Sequence, residues 1–250
     1  NDFGVSLDGR EPTSEPAESV VQEIRAAGGE AVANASSVAE WDTAKRIIDQ
    51  AVETFGRLDI LVTCAGFLRD RMVFNMTEDE WDAVMDVHAK GTFNMAKYAA
   101  IHWRTTRAGG RLITFTSGSG LFGAAGQPNY AAAKMAIVGL TLSCANALAK
   151  YNVTCNSIAP NANTRMAATI PGWDMEAAPE MSPENVAPAV VYLNHPSWWD
   201  PLVGMHLAFR CFPGRRHFAP IEAAALARYR LLGRLGFFGV EAGTPRGARD

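Results

Sequence analysis

The stretch RLITFTSGSGLFGAAGQPNYAAAK, residues 111–134, combines an apolar run, a glycine-rich segment and the start of a helical pattern. Residues 111–117 are too few for a helix and are typical of a strand buried on both faces. Pro128 suits a first helical turn, because proline lacks the N–H that has no partner there, and the helical pattern continues to about Lys150. The stretch therefore predicts a strand that ends at Ser117 and leads into a helix.

The same alternation of strand and helix extends in both directions along the chain. LDILVTCAG (58–66) and VTCNSIAP (153–160) predict further buried strands, and EAVANA (30–35) predicts a short one. The predicted helices cover 15–27, a segment capped by Ser36 or Ser37 and closed at Gly56, 77–104, 128–150 and 182–194. Parallel neighbours require crossover connections, so the alternation predicts an α/β fold with a doubly wound, Rossmann-like parallel sheet.

Composition narrows the class of protein. The chain has 250 residues, 48% of them hydrophobic, and a formal net charge of −3, which predicts no nucleic-acid partner. No basic-then-apolar leader and no 18-residue apolar run are evident, so we expect no membrane span. The four cysteines show no paired spacing, which predicts buried reduced thiols in a cytoplasmic protein. The amino-acid composition becomes rich in arginine near residue 196, so we predict a catalytic domain at 1–195 and a divergent C-terminal tail at 196–250.

The segment GSGLFG, residues 118–123, matches the G-x-G-x-x-G pattern of dinucleotide-binding loops. Such a loop needs a helix that starts at once and an acid about 20 residues later for the ribose hydroxyls. The predicted helix starts only at Pro128, and no Asp or Glu lies between Asp86 and Asp174. We therefore predict that this segment does not bind a pyrophosphate.

Ser117, Tyr130 and Lys134 are the better candidates for chemistry in this region. Positions four apart share a helix face, so the Lys134 ammonium can lie near the Tyr130 phenol and lower its pKa. A tuned phenol can act as a general acid or base, and Ser117 can hydrogen-bond the oxygen that reacts. Taken alone, a Tyr and a Lys four apart are more often a solvated helix face, and both interpretations stay open here.

The order of the motifs resembles the short-chain dehydrogenase/reductase family, and the resemblance covers residues 1–195. It rests on LDILVTCAG, the long helix after it, Ser117, Tyr130, Lys134 and IAPNANTRM (158–166). GFLRDRMVFNMTEDEWDAVMDVHAKGTF (66–93) and GQPNYAAAK (126–134) resemble the (3R)-hydroxyacyl-CoA dehydrogenases in particular. The resemblance implies hydride transfer between NAD(H) and a secondary alcohol or ketone, plausibly a 3-hydroxyacyl-CoA.

Residue roles follow from the same resemblance. It implies that Tyr130 exchanges the proton, that Lys134 lowers its pKa and binds the nicotinamide ribose, and that Ser117 polarises the substrate oxygen. His88 is either a proton-relay member or a plain helix histidine. The implied cofactor-binding set, besides Tyr130 and Lys134, is Asp2, Ser37, Val38, Ala65, Gly66 and Thr164. An acid at position 2 favours NAD over NADP, because a 2′-phosphate would meet its negative charge; no metal is implied.

The sequence also departs from the family pattern. The family opens with a strand, a glycine-rich turn and a helix, whereas this sequence begins at Asn1 and Asp2, past them. We therefore hypothesise a fragment, a defective gene product or a mispredicted one, which lacks the first strand–helix–strand unit. The alternative function is a non-catalytic remnant that associates with intact homologues. The long helices beginning near Thr77 and Pro128 resemble those through which family members form oligomers, so we expect a homo-oligomer.

Overall fold

The computed structural model describes residues 1–6, 8–169, 182–187, 219–222 and 237–240. The chain divides into two compact units, Asn1–Asp174 and Met175–Asp250. The boundary predicted near residue 196 lies outside the described residues and stays a prediction, as does the divergent character of the tail.

The first unit contains the helices and the three longer strands that the sequence predicts, without a strand at 30–35 and with one added short helix. Its elements are α1 (Glu15–Ala26), α2 (Trp41–Phe55), β1 (Ile60–Thr63), α3 (Glu78–Met85), α4 (Gly91–Thr106), β2 (Gly110–Phe115), α5 (Gly118–Phe122), α6 (Pro128–Leu148) and β3 (Val153–Ile158). A π-helical turn, Asp86–Lys90, connects α3 to α4, so the long helix predicted at 77–104 is continuous but locally widened. Thr77 caps α3 in a capping box with Glu80.

The three strands form one parallel sheet in the order β1–β2–β3. Leu61 of β1 pairs with Leu112 of β2, which pairs with Cys155 of β3. The predicted parallel α/β architecture is confirmed. Because the strands run in the same direction, the segments that follow them gather at one edge of the sheet.

The main apolar core lies against this sheet. It contains Ala44, Ile47 and Ile48 of α2, Met95, Ala96, Ala99 and Trp103 of α4, and strand residues Leu61, Leu112 and Val153. Trp103 is fully buried, and its indole N–H donates to the Leu58 carbonyl over 2.7 Å. A second buried cluster, Phe67, Val84 and Ala133, packs with Tyr130, and this smaller cluster supports the candidate site.

Several local predictions are wrong. Residues 30–35 form no strand. Between this segment and residues 1–6 one backbone–backbone hydrogen bond is described, from the Asp2 N–H to the Asn34 carbonyl, and a single bond is too little for a strand pairing. Helix α2 is capped at Glu40 rather than at a serine. A helix does start directly after Ser117, namely α5, although it has only 5 residues. The cysteines are free but not fully buried, since Cys144 and Cys155 are intermediate and Cys64 is exposed; Cys211 lies outside the described residues.

Helix α6 changes the expectation about membrane spans. Among the described residues, the segment Pro128–Tyr151 is the one helix long and apolar enough, by length and composition, to cross a membrane. Core helices of soluble proteins pass the same test. In this chain the helix packs against β3 and α5 and carries the buried Lys134.

The second unit is described in two short parts. Strands β4 (Ala219–Glu222) and β5 (Phe237–Val240) pair in parallel, with Ala219 opposite Phe237. Ser182 precedes a 3₁₀ turn, Pro183–Asn185, at the start of the helix predicted for 182–194. Residues 188–194 of that prediction lie outside the described residues.

Candidate active site

Ser117 and Tyr130 meet where β2 ends and α6 begins. Ser117 is the residue that caps α5, and its Oγ accepts a hydrogen bond from the backbone N–H of Ser119 over 3.2 Å. The Ser117 side chain lies near enough to the Tyr130 phenol to act on the pKa of that phenol, which it lowers. The strand end and the first turn of α6 therefore bring together two of the predicted catalytic groups.

Lys134 lies one helical turn after Tyr130, and its side chain is buried. Its Nζ is 5.5 Å from the centroid of the Tyr130 ring and donates to the Phe115 carbonyl over 2.9 Å. Thr116 Oγ1 donates to the Lys134 carbonyl over 2.7 Å, which ties α6 to the end of β2. Burial lowers the pKa of Lys134 from 10.5 to about 8, because the neutral amine is easier to desolvate than the ammonium.

The pKa of Tyr130 moves in the opposite direction to the prediction. Burial of the phenol raises it, the Ser117 side chain acts to lower it, and the negative charge of Asp70 adds to the rise. The Lys134 ammonium was expected to dominate, but it lies beside the ring and bonds the Phe115 carbonyl. In this structure Tyr130 is therefore a protonated phenol at neutral pH, the form required of a general acid.

His88 is 1% exposed and lies in the π-helical turn. Its Nε2 is 2.8 Å from the Phe67 carbonyl oxygen, and its ring meets the Tyr130 ring edge-on with centroids 5.2 Å apart. Its Nδ1 is buried without a hydrogen-bond partner. Burial lowers the pKa of His88 to about 3, and the nearby Lys134 charge adds to the effect, so the imidazole is neutral.

A cavity of about 350 Å³ joins several of these groups. Tyr130, Lys134, His88 and Thr164 all line it. Ser117 is not one of its lining residues; it lies near Tyr130, which is. Thr164 uses its own hydroxyl to accept from the Ala167 N–H over 3.1 Å, so its predicted contact with a cofactor stays a prediction.

The predicted cofactor residues line a neighbouring cavity of about 400 Å³. Asp2, Ser37, Val38, Ala65 and Gly66 are among its walls. Cys64, Gly66, Phe67 and Arg165 line both this cavity and the one around Tyr130. The structure thus brings the two predicted sets to adjoining cavities, which have a common wall after β1.

The lining residues fit the two ends of a dinucleotide. The Asp2 carboxylate can accept hydrogen bonds from ribose hydroxyls, and the exposed Arg165 guanidinium offers donors to an anionic group. Val38 is held in place because its carbonyl accepts from the Asn94 amide over 3.0 Å. The GSGLFG segment does not serve as a pyrophosphate-binding loop, because the N-terminus of α5, where a pyrophosphate would lie, is capped by Ser117.

Comparison with known proteins decides the family. A family model described as short chain dehydrogenase matches residues 6–174. The chain belongs to the short-chain dehydrogenase family. Its fold is similar to the crystal structure of a short chain dehydrogenase from Mycobacterium avium, at 42% identity and a TM-score of 0.68, covering 93% of this chain and 84% of that one.

Curated relatives of this short-chain dehydrogenase include larger proteins. The peroxisomal hydratase-dehydrogenase-epimerase of Neurospora crassa is 44% identical over 195 residues, covering 78% of this chain and 21% of the relative. A hydroxyacyl-CoA dehydrogenase of Mycobacterium tuberculosis is 42% identical over 212 residues, covering 79% of this chain and 64% of the relative. The chain therefore spans about a fifth of the first relative's length and just under two thirds of the second's.

Three polar residues at this short-chain dehydrogenase site escaped the sequence analysis. Asn129 is fully buried; its amide donates to the Arg69 and Glu80 carbonyls, and its Oδ1 accepts from the Tyr130 N–H. Gln127 donates to Asp70 over 2.8 Å. A signal was present, because Gln127 and Asn129 flank Pro128 directly before Tyr130, where a helix start leaves polar side chains close to backbone groups.

Proposed function

We propose that this chain transfers hydride between NAD(H) and a secondary alcohol or ketone of the 3-hydroxyacyl-CoA class. The arrangement that supports this most directly is the buried Lys134, whose Nζ lies 5.5 Å from the centroid of the Tyr130 ring, with Ser117 acting on the same phenol. The substrate class is supported by the relatives named as hydroxyacyl-CoA dehydrogenase and as peroxisomal hydratase-dehydrogenase-epimerase.

Each residue has one task in the reduction of the ketone. The nicotinamide, when bound, supplies the hydride that reaches the carbonyl carbon. The Tyr130 O–H donates its proton to the carbonyl oxygen, which becomes the alcohol, and the Ser117 hydroxyl stabilises the charge that develops on that oxygen. The Lys134 ammonium stabilises the negative charge of the phenolate that remains on Tyr130 after the proton has moved. Oxidation of the alcohol runs through the same groups in reverse.

The test is turnover of a 3-oxoacyl-CoA with NADH, followed by the loss of NADH absorbance. We expect Tyr130→Phe to lower kcat by about 10²–10⁴-fold, the usual contribution of a positioned acid. Tyr151→Phe is the matched control, because Tyr151 packs on the main core away from both cavities. A Tyr130→Phe variant as active as the native chain would refute the proposal.

The cofactor preference follows from Asp2. Its carboxylate lines the cavity proposed for the adenosine end, where it would repel the 2′-phosphate of NADPH. We expect a lower KM for NADH than for NADPH and expect Asp2→Ser to narrow the difference. An equal preference in the native chain would remove this part of the proposal.

The alternative is a non-catalytic chain that associates with intact homologues. A well-folded chain that binds neither NADH nor NADPH, and that co-purifies with an active homologue, would favour it. The fragment hypothesis and the cytoplasmic location likewise remain predictions.

We also propose a homo-oligomer formed through α4 and α6. Phe93 and Ile101 of α4 and Met135 and Leu142 of α6 are apolar side chains that are 44–62% exposed. An oligomer would bury this surface. Sedimentation velocity tests it, with Leu142→Glu expected to shift the chain to a smaller species.

A further inference from the structure

A chain of hydrogen bonds leads from Asp70 to Ser117. Gln127 Nε2 donates to Asp70 Oδ2 over 2.8 Å, and Ser119 Oγ donates to Gln127 Oε1 over 2.9 Å. The Ser119 backbone N–H then donates to Ser117 Oγ over 3.2 Å. Asp70 follows β1, Gln127 precedes α6 and Ser119 lies in α5, so the chain links three separate segments of the fold.

The carboxylate determines the direction of the two side-chain bonds in this chain, whereas the backbone N–H of Ser119 can only donate. An ionised carboxylate only accepts, so it must face the amide N–H₂ of Gln127. The Gln127 carbonyl oxygen then faces Ser119, which donates its hydroxyl proton. Gln127 is 9% exposed, and a buried amide turned the other way would leave its groups unpaired.

The end of the chain is the predicted catalytic serine. The Ser119 N–H occupies an acceptor position of Ser117 Oγ, so the single proton of Ser117 is left to point elsewhere. That proton is free to face the Tyr130 phenol, whose pKa the Ser117 side chain lowers.

Asp70 is also the carboxylate whose charge reaches the phenol. The other ionisable groups around Tyr130 are Lys134 on its own helix, His88 from the π-helical turn, and Cys64 and Arg165 across the cavity. His88 is neutral, and Lys134 carries its charge beside the ring. A negative charge at Asp70 opposes formation of a second negative charge on the phenolate.

We propose that Asp70 is a positioning residue for the hydride transfer proposed above: through Gln127 and Ser119 it orients the Ser117 hydroxyl towards Tyr130. Burial keeps the Tyr130 phenol protonated, and the negative charge of Asp70 adds to that effect. The effect of Asp70 on kcat rests on the proposed function. Its effects on the orientation of Ser117 and on the pKa of Tyr130 do not.

Three substitutions separate position from charge. In Asp70→Asn the new side-chain oxygen can still accept from Gln127 while the charge is lost. In Asp70→Ala both the bond and the charge are lost, and in Gln127→Ala the chain is broken with the charge kept. Asp82→Asn is the matched control, because Asp82 is an exposed carboxylate of α3 that lines neither cavity.

The decisive measurement is a titration of the Tyr130 phenol by NMR of the full chain carrying ¹³Cζ-tyrosine, with the signal assigned from Tyr130→Phe. We expect the Tyr130 pKa to fall in Asp70→Asn and to stay unchanged in Asp82→Asn. In ketone reduction we expect Asp70→Ala and Gln127→Ala to lower kcat about 10–100-fold, as misplacement of a catalytic group does, and Asp70→Asn to lower it less.

The two proposals fail in different ways. An unchanged Tyr130 pKa in Asp70→Asn would overturn the electrostatic role of Asp70, whether or not the chain is active. Native kcat in both Asp70→Ala and Gln127→Ala would overturn its positioning role. A native chain without turnover would overturn the proposed function, while the titration would still report on Asp70. Should Asp70→Ala not fold by circular dichroism, Asp70→Asn and Gln127→Ala decide the question.

Discussion

His88 is an ionisable side chain that the fold keeps neutral. It lies between Phe67 and Tyr130, its ring is fully enclosed, and only Nε2 finds a partner. Gly66 is part of the reason for this enclosure, since a Cβ there would come within 2.1 Å of the His88 ring. A protonated imidazole in this position would leave a charge with almost no compensation.

The burial of His88 makes stability depend on pH. Its pKa is about 3 in the folded chain and 6.5 in the unfolded chain, so the unfolded state binds the extra proton between these values. We expect the free energy of unfolding to fall as pH drops from 6.5 towards 3, by on the order of 1 kcal/mol per pH unit. Urea unfolding at pH 7, 6 and 5 measures this slope.

Substitution of His88 isolates its contribution. His88→Asn should give a flatter dependence on pH over the same window, whatever its effect on stability at pH 7. His102→Asn, which removes a half-buried histidine of α4, is the comparison variant. Equal slopes for the native chain and His88→Asn would contradict the prediction.

The identity of the candidate residues was predictable, but their electrostatics were not. Residue type and spacing were enough to select Ser117, Tyr130 and Lys134, because a helix places positions four apart on one face. The direction of the Tyr130 pKa was mispredicted, because it depends on burial and on Asp70, which lies 60 positions away in the sequence. Desolvation is a property of the packed molecule, and spacing alone carries no information about it.

At the scale of elements, α5 controls where Ser117 lies. This short helix packs on α6 through Gly120, where a Cβ would come within 2.7 Å of the Lys134 Cβ and 3.0 Å of its backbone. The close approach brings the start of α5 next to Lys134 and Tyr130. The sequence pattern predicts no helix here, because two glycines in 5 residues weaken the helical pattern. The contact with α6 compensates for this only in the folded chain.

Gly120→Ala tests the approach of α5 to α6. The added methyl has no space, so α5 must move away and carry Ser117 with it. We expect kcat for ketone reduction to fall by about 10-fold or more, with a smaller change in KM, since the loss concerns the reacting groups. Steady-state kinetics with NADH and a 3-oxoacyl-CoA measure both values.

The same helix supplies the control for this substitution. A Cβ on Gly118 meets no atom within 4 Å, so Gly118→Ala adds the same methyl to α5 without displacing it. We expect Gly118→Ala to keep near-native kcat. If the two alanine variants behave alike, the position of α5 does not control Ser117.

At the scale of the whole molecule, the edge of the sheet at β1 is a surface through which the chain can associate. Among the described residues β1 pairs with β2 alone, and its side chains Ile60 and Val62 are 39% and 37% exposed. A cavity of about 350 Å³, lined mainly by apolar residues of α2, β1 and α4, lies beside the strand. The alternation with helices predicted that the three strands are parallel. Whether the outer edge of β1 is paired depends on which segment lies beside it in space, and the alternation carries no information about that.

An unpaired edge with exposed apolar side chains is a template for another strand. We therefore expect the chain to self-associate through β1 in a way that grows with protein concentration, in contrast to a fixed oligomer formed through α4 and α6. Val62→Lys places a charge on this edge and should reduce the association, as seen by dynamic light scattering over a concentration series. Val32→Lys is the control, because Val32 is also 37% exposed but lies outside the sheet. If both variants scatter like the native chain, association does not run through β1, and the exposed faces of α4 and α6 become its source.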